Sequence, residues 1–152
     1  LGLEITETTA ISNLDAARRL ATTIIGAGCR FSLADFGAGF GSFVYLKNLP
    51  FTTVKIAGEF VRQADEAGAD RVLVDAVVRA ATGLGMTTVA EYIDREPLVA
   101  ALRQLGVDKG QGYHLGRPAP LRQLVAETDA TVAVDDRPTT PGFPAFPRQR
   151  PA

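Results

Sequence analysis

SLADFGAGFGSFVYLKNLPFTTVKI, residues 32–56, contains the step on which the fold turns. An apolar run breaks on Asp35, and three glycines follow in five positions. SFVYLKNL then reads as a short helix stopped by Pro50, and TTVKIA as the next strand. A strand, a glycine-rich loop, a helix and another strand predict a parallel βαβ unit, because parallel neighbours need a crossover between them.

The same alternation extends in both directions. LGLEIT, residues 1–6, is short, apolar and β-branched; behind it Leu14, Ala17, Ala21, Ile24 and Ile25 recur at helical spacing. Ser12 and Asn13 are the cap candidates, and Gly26 and Gly28 end the run. CRFSLAD is the second strand. After TTVKIA comes a longer helix carrying Val72, Ala76, Val77, Ala80 and Leu84 up to Gly85. TTVAEYI is a fourth strand, followed by a helix with Asp94 as cap, Pro97 in its first turn, Leu98, Leu102 and Leu105 inside and Gly106 as terminator. GQGYHLG reads as a fifth strand, before a helix opening near Pro120 with Leu121, Leu124 and Val125. From Pro138 onward, PTTPGFPAFPRQRPA holds five of the nine prolines and no periodicity. The expected division is therefore residues 1–128 as an α/β domain and 129–152 as a Pro-rich disordered tail.

Composition narrows the class. The 152 residues are 46% hydrophobic, enough for one core, and 16 Lys and Arg against 17 Asp and Glu leave no bulk charge for DNA or an anionic membrane surface. One cysteine, Cys29, precludes a disulfide within the chain and fits a reducing, cytoplasmic setting; it reads as a small buried hydrophobe. No apolar segment approaches the length of a membrane span. The chain starts at Leu1, inside a strand, which suggests a piece of something longer.

Polar residues fall on the strands in a pattern. Glu4 lies on the first, Asp35 ends the second, Lys55 is on the third, Glu91 on the fourth and Gln111 on the fifth. Parallel α/β folds build their sites at the carboxyl ends of strands. Such strands are ordinarily continuous Val, Ile and Leu, so a charged or amide group on each of five is costly unless the groups meet one another, a metal or solvent. Three carboxylates, a lysine and an amide suit hard divalent cations and phosphoester hydrolysis. Taken singly, each has a plainer reading: Glu4 or Glu91 as a solvated rim residue, Lys55 as a structural ion-pair partner, Gln111 as a backbone satisfier. His114 reads as a rim residue, Phe36, Phe40, Phe43 and Tyr45 as packing, and Arg62, Arg71 and Arg79 as a solvated face.

LEITET, ADFGAGFGSFVYLKNLPFTTVKI, TVAEYI and GQGYHLGRPAP, in this order and spacing, resemble the later part of an EAL domain, the bacterial phosphodiesterase module that opens cyclic di-GMP. The resemblance covers about residues 1–125. It implies the later five strands of a (β/α)8 barrel, incomplete in this chain, and two Mg²⁺ or Mn²⁺ ions at the carboxyl face, where water attacks phosphorus and yields the linear dinucleotide pGpG. It implies that Glu4 and Asp35 are metal ligands and Glu7 the anchor of the glycine-rich loop. Lys55 would hold the attacking water, Glu91 serve as a further ligand or base, and Gln111 help fix water and lysine. It also implies pairing of two copies through DFGAGFGS, and fused or partner sensory or diguanylate cyclase domains.

The chain departs from the family pattern at two acids. Ala34 stands where an acid bridges both metals, and Ala57 where an acid follows the lysine by two positions. The Glu-Ala-Leu signature and the asparagine of the next strand belong before Leu1. Two expectations follow: a cyclic di-GMP phosphodiesterase, truncated and impaired, or a degenerate module that binds nucleotide or a protein partner without turnover. An open flavodoxin-like sheet is a weaker alternative, since the first βα turn lacks a phosphate-cradling glycine loop.

Overall fold

The computed structural model describes residues 1–38, 43–120 and 122. Five strands run β1 (Gly2–Thr6), β2 (Arg30–Phe36), β3 (Thr53–Ile56), β4 (Thr87–Ala90) and β5 (Lys109–Gly110). They form one parallel sheet in chain order. Between them lie α1 (Glu7–Ser12) and α2 (Leu14–Gly26), α3 (Phe43–Asn48), α4 (Gly58–Val61) and α5 (Ala69–Gly83), and α6 (Glu96–Gln104). The helix opening near Pro120 and the Pro-rich tail fall outside the described residues, as does Phe40.

Local chemistry explains the boundaries. Asn13 Oδ1 accepts the Ala16 N–H at 3.0 Å, capping α2. The buried stripe Ala17, Ala21 and Ile24 then packs on β2, and α2 ends at Gly26. Gly28, at φ +76°, turns the chain into the strand.

The pleat sorts the strands into two faces. Phe31, Leu33, Val54, Ile56, Thr88 and Ala90 are all buried and form the helix side; Phe31 stacks on Phe51 with centroids 5.2 Å apart. The register places Glu4 beside Ser32, Ser32 beside Thr53 and Lys55 beside Val89 on the opposite face. The sheet is thus apolar on the helix side and more polar on the other.

Several expectations need correcting. β4 stops at Ala90, because Tyr92 turns back at φ +58°. β5 is two residues long: Gly112 lies so close to the Ile93 backbone that no Cβ fits, and the Leu115 and Gly116 N–H groups both bond Gly112 O at 3.0 Å, curling residues 112–116 into turns. Asp94 does not cap α6, whose N-cap is Arg95 with no side-chain capping bond; the Asp94 carboxylate instead meets the Arg95 guanidinium at 2.9 Å. In α5 the buried face is Val74, Val77, Val78 and Ala81, while Val72 is 67% exposed. Apolar residues on neighbouring stripes of that helix made both faces compatible with the spacing. Apolar spacing marks neither α1 nor α4. Cys29 is half-buried against the core. Arg71 is partly buried and ties Ala64 O at 3.1 Å, so it is not part of a solvated face.

Candidate functional site

Lys55 is the centre of the polar face. Its Nζ donates to Glu4 Oε2 at 2.9 Å and meets Glu91 Oε1 at 2.6 Å. Three strands' worth of chain is thereby joined: β1, β3 and the turn leaving β4. The Lys55 and Glu91 side chains are each 10% exposed, whereas the Glu4 side chain is 52% exposed. Burial alone would depress the Lys55 pKa, but the hydrogen bonds and charges of Glu91 and Glu4 outweigh it and raise it above 10.5. Lys55 is therefore an ammonium at neutral pH, a donor and not a base. It reaches Glu4 across β2, whose residues on that face are Ser32 and Ala34.

Asp35 stands at a distortion. From Leu33 to Phe36 β2 advances three residues while β3 advances two, Val54 to Ile56. The extra residue is a bulge, and within it Asp35 is exposed at φ +53°. Lys55 is bonded to Glu4 and Glu91, not to Asp35. The Gln111 side chain is exposed, past the end of β5, and its backbone is fixed beside Glu91 by Gln111 N–H to Ala90 O at 2.8 Å and Ile93 N–H to Gln111 O at 3.0 Å. The strand ends thus bring Asp35, Glu91 and Gln111 to one end of the sheet, and side-chain contact joins only Glu4, Lys55 and Glu91 among the five.

Glu7 opens α1 and is 2% exposed. Its Oε2 accepts the Gly37 N–H at 3.0 Å, across 30 residues, and Oε1 is buried with no hydrogen-bond partner among the described residues. The carboxylate thus holds the start of the glycine-rich loop. Gly37, at φ +101°, has room for no side chain, since a Cβ there would strike the Phe60 ring. Ala34 and Ala57 are both buried. His114 pairs with Glu96 at 3.0 Å on the surface. Phe36 is buried and meets the half-exposed Phe43 edge-on at 5.7 Å.

Carboxylates are the donors hard divalent ions take, and Glu4 and Glu91 converge, so the donor chemistry fits such an ion. Among the described residues, however, no group of three His, Cys, Asp or Glu side chains stands close enough to hold one.

Sequence reasoning missed Tyr92 and read Arg62 only as part of a solvated face; Arg62 is exposed, and its guanidinium lies 5.2 Å from the centroid of the Tyr92 ring. An aromatic following the last strand acid was the signal available.

Five parallel strands in chain order, with helices on one side and Glu4 and Glu91 converging on Lys55 on the other, are the architecture of part of a (β/α) barrel. The EAL domain model matches residues 1–118, and the chain belongs to the EAL family. It is 35% identical over 130 residues to the cyclic di-GMP phosphodiesterase PdeB of Shewanella oneidensis, covering 86% of this chain and 15% of that protein. The bifunctional diguanylate cyclase/cyclic di-GMP phosphodiesterase MucR of Pseudomonas aeruginosa is 36% identical over 124 residues, covering 82% of this chain and 18% of MucR. The structure of the MucR phosphodiesterase in complex with cyclic di-GMP superposes with a TM-score of 0.75 at 36% identity, over 82% of this chain and 50% of that one. The manganese and cyclic di-GMP complex of BlrP1 from Klebsiella pneumoniae gives a TM-score of 0.73 at 30% identity, over 78% of this chain and 30% of that one. The chain thus spans under a fifth of the curated relatives and about half of the MucR phosphodiesterase structure. Among the described residues no helix is long and apolar enough to cross a membrane.

Proposed function

We propose that this chain supplies the later wall of a divalent-metal-dependent phosphodiesterase site that hydrolyses cyclic di-GMP to pGpG. The observation that carries the reading is the Glu4–Lys55–Glu91 cluster on the polar face of an EAL-family sheet. Glu4, Asp35 and Glu91 would hold Mg²⁺ or Mn²⁺, as part of a shell that needs about six oxygen donors. When bound, such an ion supplies Lewis acidity toward the phosphodiester. Lys55, held protonated, orients a water or a phosphate oxygen by donating to it. Gln111 offers an amide beside them, and Glu7 keeps the glycine-rich loop in place. The setting we assign is cytoplasmic, as a homodimer, with sensory or diguanylate cyclase domains fused or bound. We place the unit boundary at residue 128.

A second reading has its own support. Ala34 and Ala57 replace acids with buried methyl groups, and the Lys55 ammonium already engages both Glu4 and Glu91. These features favour a nucleotide sensor or scaffold without turnover. Incubating the full-length protein with cyclic di-GMP and Mn²⁺ decides between them. Release of pGpG at enzymatic rates supports the phosphodiesterase, and binding without product supports the sensor. Under the first reading, Ala34→Asp raises turnover at least tenfold.

A further inference from the structure

Only two non-glycine residues among those described occupy the left-handed region, Asp35 and Tyr92, and both lie at strand ends of the candidate site. For Asp35 the conformation is mild, since short polar side chains tolerate it. A tyrosine at φ +58° is strained and persists only where its surroundings over-determine it.

Those surroundings are specific. The Tyr92 ring lies directly on Gly58, and a Cβ at position 58 would collide with the Tyr92 Cβ, Cγ and Cδ2. Arg62 stacks over the ring. The Arg62 carbonyl accepts Arg95 Nη2–H at 2.6 Å, and the Arg95 guanidinium grips the Asp65 carboxylate through Nε at 3.1 Å and Nη2 at 2.7 Å. Gly58 follows Lys55 by three residues, and Tyr92 follows Glu91 by one. The ring therefore bridges the turn leaving β3 to the turn leaving β4, beside the 2.6 Å ion pair between Lys55, next to last in β3, and Glu91, first in the turn leaving β4. Glu91 N–H to Ile56 O, at 3.3 Å, is the last backbone bond joining these two segments before the turns diverge. Beyond it the ring on Gly58 takes over.

We propose that Tyr92 is a positioning residue: its ring, seated on Gly58 with the Arg62 guanidinium 5.2 Å from its centroid, holds the left-handed turn that keeps the Glu91 carboxylate on Lys55. This rests on the proposed site and adds to it a part that no acid or lysine supplies.

The test is a double-mutant cycle in the full-length, metal-free protein, reading by urea unfolding the coupling between Lys55→Met and Glu91→Gln. With Tyr92 present the coupling is strong. In the Tyr92→Gly background, where the turn loses its strain and its ring together, the coupling constant falls at least tenfold. Tyr92→Phe keeps it within twofold. Gly58→Ala, which displaces the ring, lowers it as Tyr92→Gly does, and adding Gly58→Ala to Tyr92→Gly changes nothing further. Should Tyr92→Gly not fold, Tyr92→Asn, which also accepts the left-handed turn, takes its place in the same comparison. Coupling unchanged by loss of the ring overturns the proposal. With Mn²⁺ and cyclic di-GMP, Tyr92→Gly lowers kcat about tenfold and leaves KM within twofold. A parent protein with no turnover overturns the phosphodiesterase reading, while the metal-free cycle still decides the role of Tyr92.

Discussion

Lys55 and Glu91 form an ion pair at 2.6 Å, each side chain about one-tenth exposed. A pair so placed does not by itself indicate great stability, because desolvation offsets much of the attraction, but losing one partner leaves a buried charge uncompensated.

Lys55→Met should therefore destabilise the protein by about 3–5 kcal/mol, since the enclosed Glu91 carboxyl loses its ion-pair partner. Adding Glu91→Leu should return more than half of the loss. Urea unfolding of the single and double variants checks both values.

Alkaline pH should find the same pair. The folded Lys55 pKa is raised above 10.5, so its contribution is fully present below the unfolded lysine value and is lost as pH climbs through the higher folded one. In metal-free buffer the Lys55 contribution should hold constant from pH 7 to about 10 and decline beyond about 10.5. Comparing the pH dependence of unfolding of the parent with that of Lys55→Met isolates this decline, which the variant should lack.

The Glu7 carboxylate should govern the start of the glycine-rich loop. Glu7→Ala removes the acceptor of the Gly37 N–H and should cost about 1–3 kcal/mol. Amide exchange at Gly37 should quicken in Glu7→Ala and stay close to parental in Glu7→Gln, which keeps an oxygen in reach.

Gly112→Ala should be among the most damaging single changes, because the new methyl group would meet the Ile93 backbone nitrogen, carbon and oxygen. Backbone cannot give way as a side-chain tip can. A loss of about 3 kcal/mol is expected, measurable as a lowered unfolding midpoint.

Strand positions were legible because apolar alternation marks them whatever the distant partners are. Glu4, Lys55 and Glu91 stood out as charges on strands that should carry none, and the fold joins those three. What the sequence concealed depends on contacts made across long separations. Gly58 and Gly112 look like ordinary turn glycines; their reasons are the Tyr92 ring and the Ile93 backbone. The Asp35 bulge is invisible to residue counting, because an extra residue in one strand exists only relative to its neighbour. The α5 face was ambiguous since Val72, Leu73, Val74, Val77 and Val78 supply more than one apolar stripe.

The extra residue of β2 also makes that strand a ratchet stop. A smooth strand can slide past its neighbours two residues at a time and keep its faces; one with a surplus residue fixed opposite β3 has a single seat. Repacking beneath Phe31 or Leu33 can change how tightly the wall is nailed to its helices, yet the address of Asp35 is written at the seam with β3. A transplanted second strand would have to bring that irregularity with it, or deliver its acid one notch out of place.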